Sequence, residues 1–162
     1  TSGKTAVHSD MIMWNIENTV ENAALQFTSI LYSVPQISML IDKLPSDHYE
    51  MLKFYISFWK EWKNVLLDGK LTATNPESEY SLVCSRLDDT EIYTAYSDTV
   101  IPVTAKKTIA VNATVGNTLI IKNALDKNYR VLNCMGQEIA KGVLSANLQE
   151  IEVPTAGIVF VD

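Results

Sequence analysis

Several things are scarce in this sequence, and each scarcity removes a class of function. There are two cysteines, Cys84 and Cys134, too few for a disulfide scaffold and without metal-ligand spacing. They fall in different expected strands and read as buried, inert thiols; a cross-strand disulfide is the alternative. Positive charge is thin: 13 Lys and Arg stand against 19 Asp and Glu, for a net charge of −6. The densest basic run is Lys106-Lys107, which is no surface for a phosphate backbone, so nucleic acid is not an expected partner. No window of about 18 uncharged apolar residues exists, so no membrane-spanning helix is expected. Thr1-Ser2-Gly3-Lys4 has neither an initiator Met nor a signal-peptide core. Glycine is sparse, and Gly3-Lys4-Thr5 lacks the upstream glycine of a phosphate loop. Asp88-Asp89 offers too few converging oxygens for calcium. Neither a metal nor another cofactor is expected. What remains, 47% hydrophobic and 20% charged, is enough apolar material for a folded chain rather than a disordered one.

The apolar residues change period near Leu71-Thr72-Ala73-Thr74-Asn75-Pro76. Before that point they recur at helical spacing, and after it they alternate. A first helix is expected from about Thr19 to Ser33, with Asn18 and Glu21 as its capping box. Val20, Ala23, Ala24, Phe27 and Leu31 form its apolar face, and Pro35 should stop or redirect the chain. Ile37-Ser38-Met39-Leu40-Ile41 fits either a buried strand end or one helical turn. Pro45 and an Asp47/Glu50 capping pattern then open a second helix running to about Leu67 and ending at Gly69. Its stripe of Met51, Tyr55, Phe58, Trp59, Trp62 and Leu66 reads as core packing rather than a ligand-stacking face. Lys53, Lys60, Glu61, Lys63 and Asn64 form the wet side. His48 reads as a solvated first-turn residue. Two βα units cannot close a barrel, and the aromatic stripe lacks an adequate partner surface within its own half. That shortfall predicts that residues 1–75 are an incomplete unit, and that an exposed stripe could drive homo-oligomers.

Residues 76–162 read as β throughout, in strands at Tyr80–Arg86, Glu91–Ser97, Val100–Val103, Thr108–Val111, Thr118–Asn123, Asn128–Cys134, Gln137–Val143, Leu148–Val153 and Gly157–Val161. Turn residues punctuate them, and Cys134-Met135-Gly136-Gln137 makes a tight hairpin. The expectation is an antiparallel β-sandwich.

His8-Ser9-Asp10 is a compact polar cluster in an apolar run. Consecutive strand residues point to opposite faces, so it is no catalytic triad. It fits either polar residues at a barrel mouth or buried groups satisfied by backbone.

Three segments carry a resemblance: Ala6-Val7-His8-Ser9-Asp10-Met11-Ile12-Met13-Trp14, Leu31-Tyr32-Ser33-Val34-Pro35-Gln36-Ile37-Ser38-Met39 and Phe58-Trp59-Lys60-Glu61-Trp62-Lys63-Asn64-Val65-Leu66-Leu67-Asp68-Gly69. In this order they resemble the late part of family 36 glycoside hydrolases, the melibiase or α-galactosidase group. The tail Tyr129-Arg130-Val131, Gly136, Ile151-Glu152-Val153-Pro154 and Gly157-Ile158 is similar to the family's C-terminal sandwich. His8-Ser9-Asp10-Met11 also resembles an aspartate-proline-aspartate-methionine stretch of family 27, with His8 and Ser9 in place of the first Asp and the Pro. The resemblance implies an α+β chain: the helical end of a (β/α)8 barrel over residues 1–75, then the sandwich over 76–162. It further implies a retaining two-aspartate mechanism whose nucleophile and acid both lie upstream of Thr1. On that reading the chain holds no catalytic residue, and His8, Asp10 and Trp14 line the barrel mouth against the carbohydrate substrate. The upstream barrel of the same enzyme is the expected partner. The alternative is a free-standing carbohydrate-binding or interaction module, for which the β half supplies Tyr80, Tyr93, Tyr96, Tyr129 and Phe160 and no Trp.

Overall fold

The computed structural model describes residues 9–74 and 82–162; His8, Tyr80 and the expected boundary at 75/76 lie outside them. Strand β1 (Ser9–Ile12) pairs in parallel with β2 (Val34–Ile37), and helix α1 (Val20–Thr28) connects them. A 3₁₀ turn (Ile41–Lys43) leads to α2 (Ser46–Asp68). Then come β3 (Lys70–Thr74), β4 (Leu82–Leu87), β5 (Thr90–Ala95), β6 (Val100–Pro102), β7 (Lys107–Asn112), β8 (Thr118–Lys122), β9 (Asn128–Leu132), β10 (Glu138–Val143), β11 (Leu148–Glu152) and β12 (Ile158–Val161).

Helix α1 is capped by Thr19 rather than by the expected Asn18, because the Thr19 hydroxyl accepts from the Asn22 N–H at 3.2 Å. It also ends five residues early. The Thr28 and Ser29 hydroxyls donate back to the Leu25 and Gln26 carbonyls, and tight turns from Phe27 to Ile30 and from Ile30 to Ser33 follow. Helix α2 has no side-chain N-cap; the Asp47 carboxylate accepts from the adjacent His48 N–H. Gly69 follows α2 with an ordinary φ of −69°. Its need for glycine is closeness, since a Cβ there would collide with the Val65 carbonyl and the Ser85 hydroxyl of β4.

The sandwich consists of a seven-stranded sheet, in the order β10-β9-β12-β7-β5-β4-β3, facing a three-stranded sheet, β11-β8-β6. It is mixed rather than wholly antiparallel: β5 runs parallel to β7, and β6 parallel to β8. The chain leaves β5 for β6 in the other sheet and returns to β7 beside β5, so successive sheet switches bring like-directed strands together. Strand β3, at the expected change of period, is an edge strand antiparallel to β4.

The seven-stranded sheet is covered on both faces. On one, Tyr93, Ala95, Ala110, Val131, Val159 and Val161 meet Ile101, Leu119, Ile121 and Ile151 of the small sheet. On the other, Ile92, Ile109, Val111 and Ile158 meet Phe27, Leu31, Met51, Tyr55 and Phe58 of the helical half. The aromatic stripe of α2 therefore has a partner surface after all, supplied by the β half. This corrects the expectation that it lay bare, and removes the ground on which self-association was expected. Tyrosines fasten the two parts: Tyr55 donates to the Ala156 carbonyl, Tyr32 pairs with the Thr94 hydroxyl at 2.7 Å, and Tyr96 donates to the Thr28 carbonyl at 3.1 Å. Burial raises all three phenols above their ordinary range, Tyr96 to about 12.

Candidate functional site

The expected barrel-mouth residues are placed unequally. Asp10 lies in β1 opposite Pro35 of β2. Trp14, two residues past the end of β1, is turned inward and is only 9% exposed. Its indole N–H donates to His48 Nδ1 at 2.9 Å, and His48 Nε2 lies 3.0 Å from the Asn18 carbonyl. Indole nitrogen only donates, so Nδ1 must be bare and Nε2 must carry the proton that goes to Asn18. This fixes the neutral Nε2–H tautomer. His48, 2% exposed, is thus a brace between the loop after β1 and the first turn of α2, not the solvated residue its helix-start position suggested. No pattern signalled this, because Trp14 and His48 are 34 residues apart.

The strand pair has two unlike faces. Ile12 and Trp14 turn toward the helices. Between and beside them, Met11 is 65% exposed and Met13 63% exposed, while Leu40, after β2, is 67% exposed. A parallel sheet is ordinarily covered on both faces, and one face of this pair carries uncovered apolar side chains.

A second polar centre lies inside the sandwich. Glu91 on β5 is 1% exposed. Its carboxylate accepts from the Thr104 N–H at 2.8 Å and hydroxyl at 2.6 Å, the Ala105 N–H at 3.0 Å, the Thr108 hydroxyl at 2.7 Å and the Tyr93 hydroxyl at 3.3 Å. Burial pushes this carboxyl up, but the hydrogen bonds from Thr104, Thr108 and Ala105 outweigh it and hold the acid below its ordinary value. Every lone pair is occupied by the fold, so Glu91 ties the β6–β7 connection to β5 and is not a free acid or base. The sequence held one clue, a lone carboxylate beside the apolar Ile92-Tyr93.

Both cysteines are free and buried, Cys84 in the sandwich core and Cys134 in the helix-facing core. Burial raises the Cys84 thiol to about 11 and the Cys134 thiol to about 12, so neither is a ready nucleophile. Among the described residues no group of three or more His, Cys, Asp or Glu side chains could hold a metal ion, and no helix is long and apolar enough to cross a membrane. Of the aromatics considered as a sugar platform, Tyr93 is buried and Tyr96 is held by Thr28. Phe160 carries the Arg130 guanidinium 4.9 Å from its ring centroid.

No curated protein matches the chain. A family described as a domain of unknown function (DUF6383) matches residues 97–162, which take in β6 to β12 and leave out the helical half and β3, β4 and β5.

Proposed function

We propose that the chain is the closing part of a retaining α-galactosidase-like glycoside hydrolase, two βα units and a sandwich that complete a (β/α)8 barrel whose catalytic aspartates lie elsewhere. The observation that carries this reading is the uncovered apolar face of the β1–β2 pair. In such a barrel each strand turns one face to the surrounding helices and the other to the packed barrel interior. Ile12 and Trp14 occupy the helix side here. Met11, Met13 and Leu40 are exposed and would be the side chains that the remaining strands cover. The sandwich, by packing on α1 and α2, would hold both helices in place against the barrel. Trp14, His48 and Asn18 would set the loop after β1, on the side where such enzymes bind sugar, with Asp10 on the same strand.

The test joins the chain to a family 36 α-galactosidase barrel shortened by its last two βα units and its C-terminal domain. The chain alone should not hydrolyse an aryl α-galactoside, and the fusion should. Turnover by the chain alone would overturn the assignment of catalysis to the missing strands. A fusion that melts cooperatively yet neither binds galactose nor turns over would overturn barrel closure. Met11→Glu sharpens the point: it should change the stability of the isolated chain by less than about 0.5 kcal/mol, as for an exposed site, and abolish activity of the fusion.

A further inference from the structure

The edge of the large sheet holds a groove of about 510 Å³ lined by Lys107, Asn128, Arg130, Lys141, Phe160 and Asp162. A second cavity of about 280 Å³ beside α2 shares Lys107, Arg130 and Phe160 with it and adds Trp62 and Glu61. In a chain of net charge −6, the groove gathers three cations against one carboxylate, a local reversal of sign. These cations are weakly committed. Among the described residues, Lys107 and Lys141 have no ion pair, and Arg130 has only Glu138 at 3.9 Å.

The aromatic rings show what kind of ligand fits. A neutral sugar needs a bare ring face to stack on. Here Arg130 covers Phe160 at 4.9 Å and the Lys107 ammonium stands 5.2 Å from the Trp62 centroid. The cations are thereby positioned by the rings and remain available to an acid. Trp62 Nε1 is buried and has no hydrogen-bond partner among the described residues, a donor suited to an acceptor oxygen.

We propose that this groove binds a sugar-sized acid, a polyhydroxylated ring bearing a carboxylate, with the acid on Lys107, Arg130 and Lys141 and the hydroxyls toward Asn128 and Asp162. A guanidinium fork matches a carboxylate. The groove falls in the size range of small-molecule sites and is too roomy for a bare oxyanion. Asp162 and Asn128 on its rim supply polar partners for hydroxyls. The site lies in the β half and does not depend on barrel closure.

The experiment titrates the intact chain with D-glucuronate, its neutral twin D-glucose and inorganic sulfate, reading amide shifts by NMR. Glucuronate should bind saturably, with the largest shifts at Arg130, Lys141 and Asp162, and glucose should bind at least tenfold more weakly. The exposed double variant R130Q/K141Q should melt like the parent and lose at least tenfold in affinity. Equal binding of glucose would make the groove a neutral sugar platform, equal binding of sulfate would make it a simple anion site, and no saturable shift with any of the three would leave no site; each result overturns the proposal.

Discussion

The two faces of the seven-stranded sheet are built from different material. The helix-covered face meets large side chains, with Phe27, Met51, Tyr55 and Phe58 laid on Ile92, Ile109 and Ile158. The sandwich face is filled mainly by Ala, Val and Ile, and it encloses Glu91, the one fully buried carboxylate among the described residues. The difference follows from geometry. Two sheets pack about 10 Å apart with interdigitating side chains, which favours compact residues. Helices lie on a twisted sheet at a distance set by whatever fills the gap, and here aromatics fill it. One face is therefore sensitive to volume, and the other to charge and hydrogen bonding. The sheet between them is a shared floor, so the helical half and the β half have one fate in unfolding.

Volume loss on the helix side should have the largest effect. Phe58→Ala removes a ring that packs edge-on against Tyr55 and Phe160 and should cost about 3–5 kcal/mol. Denaturant unfolding followed by tryptophan fluorescence, which reports the helical half, and by NMR amide intensities of the sandwich strands, which report the sheet, should shift together. Separate transitions would break the shared-floor account.

The sandwich side should respond next, and with a pH signature. Glu91→Ala leaves the Thr104, Ala105 and Thr108 donors without their acceptor and should cost about 2–4 kcal/mol. The sign of the pH effect follows from the depressed acid. With a folded pKa below its unfolded value, near 4.5, Glu91 contributes stability that is present above about pH 4.5 and lost as pH falls through the lower folded value. The parent should therefore lose stability in that acid window, and Glu91→Gln should show a shallower loss there. Equal acid slopes in the two proteins would show that the carboxylate carries no net charge-dependent stability.

A smaller effect is expected at the brace after β1. Trp14→Phe keeps most of the ring volume but removes the donor to His48 Nδ1, at a cost of about 1–2 kcal/mol. Replacing His48 with Gln in the Trp14→Phe background should then cost less than in the parent, because the two residues share one interaction.

How much of this was readable in advance differs between the regions for the same physical reasons. The strands of the sandwich were legible because each alternates or runs apolar between turn residues, and the Cys134-Met135-Gly136-Gln137 hairpin because Gly136 takes a φ of +82° that few residues tolerate. The buried stripe of α1 was legible from its spacing. Strand β3 was not, since Lys70-Leu71-Thr72-Ala73-Thr74 is an exposed edge with little apolar content to mark it. Parallel pairing of β5 with β7 was also hidden: it depends on which sheet β6 joins, and a period-two pattern does not encode its partner. The candidate site was the least legible. His8, Asp10 and Trp14 were chosen on one run of sequence, whereas the brace needs His48 from α2 and the basic groove needs Lys107, Arg130 and Phe160 from three strands.

The smallest effect tests the seam between the two parts. Ala156, in the turn before β12, has a φ of +61°, a left-handed conformation that costs a residue with a Cβ about 1–2 kcal/mol. Its carbonyl accepts from the Tyr55 hydroxyl of α2, and its N–H donates to the Asn112 carbonyl at 2.7 Å. These two bonds come from different layers and converge on one strained residue. Ala156→Gly relieves the strain but loosens the unfolded chain, and the two nearly cancel, so a net gain below about 1 kcal/mol is expected. Tyr55→Phe should cost about 1 kcal/mol. If the tyrosine holds the strained turn, the loss from Tyr55→Phe should shrink in the Ala156→Gly background, where no strain remains to be held. Strict additivity would mean that the hydrogen bond merely decorates a turn which β7 and β12 already fix, and that the helical half contributes volume to the seam but no backbone geometry.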